Sequence, residues 1–128
     1  MASDLLALLE AATVSGGLAE AEPPRWREDW AVTVVLASAG YPASSSSGDV
    51  IAGLDDVPAG VEVTHAGTAL DPEGRTVTAG GRVLNVTGLG ATPAAARDAA
   101  YAAADRITFD GRQLRTDIAR AAALEHPT

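Results

Sequence analysis

The stretch Ala79-Gly80-Gly81-Arg82-Val83-Leu84-Asn85-Val86-Thr87-Gly88-Leu89-Gly90 constrains the fold more than any other part of the chain. A glycine pair turns the backbone, a strand follows, and Gly88-Leu89-Gly90 hands over to a helix opened by Thr92 and Pro93. Strand alternation puts Arg82, Leu84 and Val86 on one face and Val83, Asn85 and Thr87 on the other. A guanidinium among apolar neighbours needs a partner, so either a carboxylate of this chain or a bound anion should meet Arg82. Gly-x-Gly ahead of a helix can cradle phosphate through amide N–H groups. This one lacks the third glycine and the parallel βαβ setting of a dinucleotide site. A tight strand-to-helix connection accounts for it equally well.

Around that stretch the chain divides into short elements. Residues 3–14 have helical apolar spacing in Leu5, Leu8, Leu9 and Ala12, with Ser3 as the expected N-cap and Gly16-Gly17 as the stop. Coming directly after Met1, that helix reads as the cut edge of something larger. Residues 18–30 are acidic, contain Pro23-Pro24, and read as a linker whose Trp26 and Trp30 pin it to the next unit; binding aromatics are the sharper alternative. Residues 31–38 are apolar on both faces, as an interior strand would be. After the Gly40-Tyr41-Pro42 turn, Ser44 to Ser47 form either a solvated linker or a ligand-touching loop.

Residues 61–68 alternate as one strand with Val61, Val63 and His65 facing together, and Asp71-Pro72-Glu73-Gly74 turns the chain into a partner strand over 75–79. A helix is expected from Thr92-Pro93 to about Asp105, with Arg97, Asp98, Tyr101 and Asp105 as its polar stripe and an alanine face smooth enough to lie close on a sheet. A short strand over 106–109 and a last helix capped by Thr116 complete the pattern. Short strands joined by tight turns predict an α+β fold, a mostly antiparallel sheet with helices on one face.

Composition limits the chemistry. The 47% hydrophobic fraction overstates the core, because 28 residues are Ala and only five are aromatic. Close backbone packing must therefore replace bulky side chains. A net charge of −8 argues against a sequence-independent grip on nucleic acid or an anionic membrane. All nine basic residues are Arg, which removes any phosphate-loop or Schiff-base lysine from this chain. Without Cys there is no disulfide or thiolate site, and no run of about 18 apolar residues suggests a membrane span. The expectation is a soluble, untargeted, cytoplasmic chain.

No catalytic residue and no metal site are assigned. His65 has no second ligand at metal spacing and reads as a partly buried strand histidine donating to a backbone carbonyl, in preference to a general base. The hydroxyls of Ser38, Thr64 and Thr68 have no activating triad order. Asp49, Asp55, Asp56, Asp110 and Asp117 fit no calcium loop, and Asp110, Arg112, Arg115 and Asp117 read as a surface ion network.

Four segments in order carry a resemblance: Ala37-Ser38-Ala39-Gly40-Tyr41-Pro42 with Gly48-Asp49-Val50-Ile51 and Gly53-Leu54; His65-Ala66-Gly67-Thr68; Gly80-Gly81-Arg82-Val83-Leu84-Asn85-Val86-Thr87; and Phe109-Asp110-Gly111 with Leu114-Arg115-Thr116-Asp117-Ile118. Over about residues 31–118 they resemble the C-terminal domain of the phosphoribosylamine–glycine ligase (glycinamide ribonucleotide synthetase) family of ATP-grasp enzymes. The Ser3-Asp4-Leu5-Leu6 helix resembles the end of that family's ATP-grasp domain. The resemblance implies a boundary near residue 30, with 1–30 as helix and linker and 31–128 as the C-terminal domain.

It further implies a fragment of an enzyme that joins 5-phosphoribosylamine to glycine with ATP and Mg²⁺ (or Mn²⁺), in purine biosynthesis. The family's acidic magnesium motif has no counterpart here, so neither cofactor is expected to bind this fragment, which should be inactive alone. Its expected partners are the remaining domains of the enzyme and the small substrates, with no nucleic acid and no membrane. Gly80, Gly81 and Arg82 are the candidates for facing the ribose-phosphate side, and Arg82 paired with a carboxylate such as Asp49 is the structural alternative. The family often carries an aromatic and a basic residue before Gly48-Asp49, where this chain has Ser44 to Ser47. From another class, the competing reading is a standalone non-catalytic interaction or scaffolding module.

Overall fold

A computed structural model describes residues 1–126. The last two residues of the expected 31–128 domain lie outside the described residues.

The chain opens with α1 (Leu5–Ala12), and its N-cap is Asp4, not Ser3. The Asp4 carboxylate accepts from the Leu6 N–H at 2.8 Å, satisfying a donor that has no partner inside the helix. Ser3 instead ties the arm back on itself: its Oγ accepts from the Arg25 N–H at 2.7 Å, and Ala2 N–H donates to the Arg25 carbonyl at 2.7 Å. A single turn, α2 (Gly17–Glu20), lies between. No residue of α1 or α2 is buried. Trp26 is 71% exposed and pins nothing, whereas Trp30 starts the next strand and stacks on His126 at 5.8 Å.

Beyond the arm come β1 (Trp30–Ala37), β2 (Ser47–Val50), a 3₁₀ turn at Leu54–Asp56, β3 (Glu62–His65), β4 (Thr68–Leu70), β5 (Thr76–Ala79) and β6 (Arg82–Gly90). Helix α3 (Pro93–Ala104) follows, and α4 (Arg120–Glu125) closes the described chain. Every strand pair is antiparallel, as the tight turns require. The strands form two three-stranded sheets, ordered β1-β6-β3 and β2-β5-β4. The fold is α+β.

Several expectations need correction. Residues 61–68 are two strands broken at Ala66-Gly67, since β3 pairs with β6 and β4 with β5. β3–β4 and β5–β6 are thus one long hairpin, bent into two sheets where Gly67 meets Gly80-Gly81. β1 is an edge strand, not an interior one; its second face is exposed at Ala31 and Thr33, half-buried at Val35 and buried only at Ala37, whose backbone bridges laterally to Gln113 in the C-terminal segment. Residues 106–109 form only a single bridge, Ala52 to Thr108, and not the expected strand; Ile107 and Phe109 are buried. Thr116 caps no helix: α4 begins after Ala119, which adopts a left-handed conformation.

The core lies between the first sheet and α3. Val32, Val34, Leu36, Leu84 and Val86 face the helix, and Ile107 and Phe109 close one end. Each such side chain contributes roughly 1.5–3 kcal/mol on leaving water. Thr92 caps α3, accepting from the Ala95 N–H at 3.1 Å, with Pro93 in its first turn. Its buried face is Ala96, Ala100, Ala103 and Ala104, set on a strand that carries Gly88 and Gly90. A Cβ on Gly88 would stand 2.5 Å from the Ala100 nitrogen, and one on Gly90 2.5 Å from the Ala96 nitrogen. Gly88-Leu89-Gly90 is therefore strand that admits a helix backbone, and the strand-to-helix connection falls after it, at Ala91 and Thr92. No helix is long and apolar enough to cross a membrane among the described residues.

At the hairpin tip, Asp71 accepts from the backbone N–H groups of Arg75 at 2.8 Å and Glu73 at 3.1 Å, and from the Arg75 guanidinium at 2.7 Å. Partial desolvation raises the Asp71 carboxyl, and these donors outweigh it, so it titrates below 3.8. The stability it gives is present above the unfolded-state value and is lost as pH falls through the lower folded value.

Two tests of the packing follow. Gly88→Ala should lower unfolding stability by about 1–3 kcal/mol in a urea titration, because the added methyl displaces α3; unchanged stability would contradict the close seam. Asp71→Asn should lower the melting temperature at pH 7, and its difference from the parent should close as pH drops below 3.8.

Candidate functional site

The bend of the hairpin builds the site. Gly67 N–H donates to the Val83 carbonyl at 3.0 Å and Ala79 N–H to the Gly67 carbonyl at 2.8 Å, so the two arms of the hairpin stay joined through the bend. The Gly81 carbonyl points away from the hairpin and accepts from the Ser38 N–H at 2.9 Å. Ser38 is fully buried, so its hydroxyl is part of this joint and not a nucleophile.

The bend also changes where Arg82 goes. Leu36 pairs with Leu84 but Ala37 pairs with Arg82, so β6 carries one extra residue at Val83, a β-bulge. Val83 and Leu84 are consequently both buried, while Arg82 is exposed. Strict alternation expected Arg82 beside Leu84 and Val86; the bulge instead turns it to the face of Val35. Among the described residues, no carboxylate lies within 4.0 Å of its guanidinium. Asp49, the suggested structural partner, is engaged elsewhere: its Oδ2 accepts from Ser46 Oγ at 2.6 Å and from Thr78 Oγ1 at 3.1 Å.

Arg82 stands at a cleft of about 400 Å³. Val35, Ala37 and Leu114 give it an apolar floor, Tyr41 and Pro42 one wall, and Gln113 and Arg115 the opposite rim. Tyr41 packs on the Gly80-Gly81 turn so closely that a Cβ on Gly81 would overlap its ring, with Cε2 at 2.7 Å. Gly81 is thus glycine because an aromatic wall rests on its backbone. Arg115 is less available than Arg82, because it clasps Asp117 through two bonds of 2.9 and 2.6 Å. That clasp holds the Asp117 carboxyl below its ordinary range and raises the Arg115 guanidinium.

The C-terminal rim is positioned by α3. The Arg97 guanidinium lies over the Tyr101 ring at 4.5 Å and donates to the carbonyls of Thr116 at 2.8 Å and Ile118 at 3.1 Å. The Tyr101 hydroxyl donates to the Arg115 carbonyl at 2.6 Å and accepts from the Ile118 N–H at 3.2 Å. The expected ion network of Asp110, Arg112, Arg115 and Asp117 is therefore only the Arg115–Asp117 pair. Arg112 spends its guanidinium on the carbonyls of Ala104 and Ile107, the latter at 2.7 Å.

His65 is exposed at the bend, its Nδ1 2.9 Å from Thr68 Oγ1, not buried against a backbone carbonyl. In the serine run, Ser46 turns inward to Asp49 and Ser47 starts β2. Among the described residues no three His, Asp or Glu side chains come together as metal ligands. The cleft takes in Arg82, which the sequence singled out, but not Gly80 or Gly81, which lie outside its lining: Gly80 faces Gly67, and Gly81 lies against the Tyr41 ring. The cleft adds Tyr41 and Leu114, which reach it only through long-range packing that left no local signal.

Fold and cleft together define a small antiparallel α+β domain with an arginine at the bend between two sheets. The family described as phosphoribosylglycinamide synthetase, C domain, matches residues 31–121. The chain belongs to that family. It is 51% identical over 121 residues to the phosphoribosylamine–glycine ligase of Streptomyces coelicolor, covering 92% of this chain and 29% of that protein. To the ligase of Rhizobium meliloti it is 47% identical over 124 residues, covering 96% and 29%. A crystal structure of the ligase from Thermotoga maritima superposes with a TM-score of 0.67 at 35% identity, over 84% of this chain and 27% of that one. The chain thus spans under a third of the length of these relatives. At 96% coverage of 128 residues about five are unmatched, so at least about 25 of the first 30 belong to the likeness as well.

The Tyr41–Gly81 contact predicts a double-mutant cycle. Gly81→Ala should destabilise by about 1–3 kcal/mol alone and by much less in a Tyr41→Ala background. Equal penalties in both backgrounds, read by urea unfolding, would show that the two do not touch.

Proposed function

We propose that the chain is the C-terminal part of a phosphoribosylamine–glycine ligase, the enzyme that joins 5-phosphoribosylamine and glycine at the expense of ATP in purine biosynthesis. The observation that carries this reading is the 51% identity with the Streptomyces coelicolor ligase over 92% of the chain. On this reading residues 1–30 are the last helix of the ATP-grasp domain with its linker, and 31–128 are the C-terminal domain. The enzyme works in the cytoplasm. ATP and Mg²⁺ (or Mn²⁺) are held by the remaining domains. The described residues of this chain offer no donor set for the metal, so no step is assigned to it here.

The contribution of this chain is to cover and orient the phosphoribosyl substrate. Arg82 presents a fork of N–H donors without a competing carboxylate, which matches two oxygens of a phosphate. The Gly80-Gly81 turn supports the site from behind, by seating the Tyr41 ring that walls the cleft beside Arg82. The apolar floor of Val35, Ala37 and Leu114 lowers the local dielectric and strengthens the ion contact.

A chimera tests both statements: this chain replaces the matching C-terminal segment of the Streptomyces coelicolor ligase. Ligase activity should be retained. Arg82→Ala in the chimera should raise KM for phosphoribosylamine about 10–100-fold, the loss of a charged hydrogen bond, with KM for glycine and ATP little changed. A folded but inactive chimera would overturn the family function. An Arg82→Ala chimera with unaltered kinetics would remove the phosphate role.

A further inference from the structure

The first 26 residues hold a surface that the domain does not use. α1 buries none of its residues, and Leu5, Leu6 and Leu9 are 56%, 63% and 55% exposed. Val14, Leu18 and Trp26 extend the same apolar exposure to 63%, 58% and 71%. Leu5 and Leu9 are four residues apart, and Leu6 and Leu9 three, so the leucines form one stripe along the helix. Leu8, on the flank of that stripe, is the one leucine that half-packs, against the returning segment around Ala21 to Arg25. The conformation is fixed locally all the same, by the Asp4 cap and by the bonds that tie Ala2 and Ser3 to Arg25. An ordered helix that shows its leucines to solvent is a docking element, because stable soluble domains seldom leave such a stripe uncovered.

The extent of the likeness to the relatives points to the partner. The family domain begins at residue 31, yet the likeness to the long ligases runs through most of the arm. The arm therefore belongs with what precedes the domain in those proteins, about seven tenths of their length, which this chain does not contain. We infer that the Leu5/Leu6/Leu9 stripe is the site where this chain docks on the preceding body of the ligase, whether that body sits on the same polypeptide or a second one. The occupant is an apolar groove on that body, in the manner of an amphipathic helix laid in a groove with anchors at i, i+1 and i+4. The inference rests on the ligase reading for the identity of the partner. The arm then acts as the joint that carries the Arg82 cleft to a site assembled elsewhere.

The partner used for the test is the N-terminal remainder of the Streptomyces coelicolor ligase, co-expressed with this whole chain carrying an affinity tag. A 1:1 complex should co-purify, with a blue shift of the Trp26 emission. Leu5→Asp/Leu9→Asp, on exposed positions that leave the fold intact by circular dichroism, should weaken association at least tenfold. Arg82→Ala should leave association unchanged. No complex, a complex indifferent to the leucine pair, or self-association of this chain through α1 would each overturn the proposal. A second measurement avoids dependence on the isolated remainder. In the full-length chimera the leucine pair should raise the rate of tryptic cleavage at Arg25 and Arg27 at least tenfold, and an unchanged rate refutes the docking. Both readouts need no substrate, so an inactive chimera would sink the ligase reading while leaving the docking result standing.

Discussion

The whole domain depends on how closely α3 can approach β6. Gly88 and Gly90 expose bare backbone on the strand, and Ala96 and Ala100 expose nearly bare backbone on the helix. With 28 alanines and five aromatics, this chain has branched aliphatics for the sheet side of its core but only alanine for the helix side. It joins the two by proximity, since dispersion contacts fall off steeply with distance and a gap left at the seam would forfeit them. Once α3 is seated, its outer face becomes a fixed platform. Arg97 and Tyr101 hold the carbonyls of residues 115–118, and Gln113 bridges to Ala37 at the edge of β1. The rim of the cleft is thus three contacts removed from two glycines.

A second constraint is the bent hairpin. Running as one flat ribbon, β3–β4 and β5–β6 would have carried Arg82 beneath α3, among Leu84 and Val86, where its charge would be costly. The bulge at Val83 and the glycines at 67, 80 and 81 split the ribbon into two sheets and turn that side chain outward. The same bend leaves the Gly81 carbonyl free to accept from Ser38 and leaves the Gly81 α-carbon bare for the Tyr41 ring. Position, cation and aromatic wall come from one irregularity. Irregularities of this kind concentrate at functional positions because a regular ladder has no way to re-aim a single residue.

That division also explains what could be read from the residues. The α3 limits, its Thr92-Pro93 start, the antiparallel strands and the α+β class follow from local rules of capping, periodicity and turn length, and each is present in the structure. The face of Arg82 was misjudged because a bulge adds a residue without changing the apolar spelling of the strand. β1 looked interior because residues 31–38 are apolar on both sides, yet Ala31 and Thr33 stay exposed and the strand's free edge meets only the bridge from Ala37 to Gln113, 76 positions away in sequence. Ser3 and Asp4 are both good caps, and only the return of the chain to Arg25 decides that Ser3 serves the clasp and Asp4 the helix. The Tyr41–Gly81 contact had no local signature, although a glycine with negative φ in a strand junction often marks a close neighbour.

The arm shows why order and exposure can coexist. An eight-residue helix is too short to persist on propensity alone, and α1 gains no burial from the domain. Its order comes from the clasp: three hydrogen bonds join the ends of a segment running from Ala2 to Arg25, so the loop is closed by the backbone of its own two ends. Such a unit opens at lower free energy than the α3–β6 seam. Docking the leucine stripe would shift that opening equilibrium toward the closed arm and, by linkage, the closed arm would bind more tightly than an unravelled one. The clasp and the stripe would then act as one device: the hydrogen bonds pre-form the helix, and burial of the exposed leucines on docking would add the free energy that holds it.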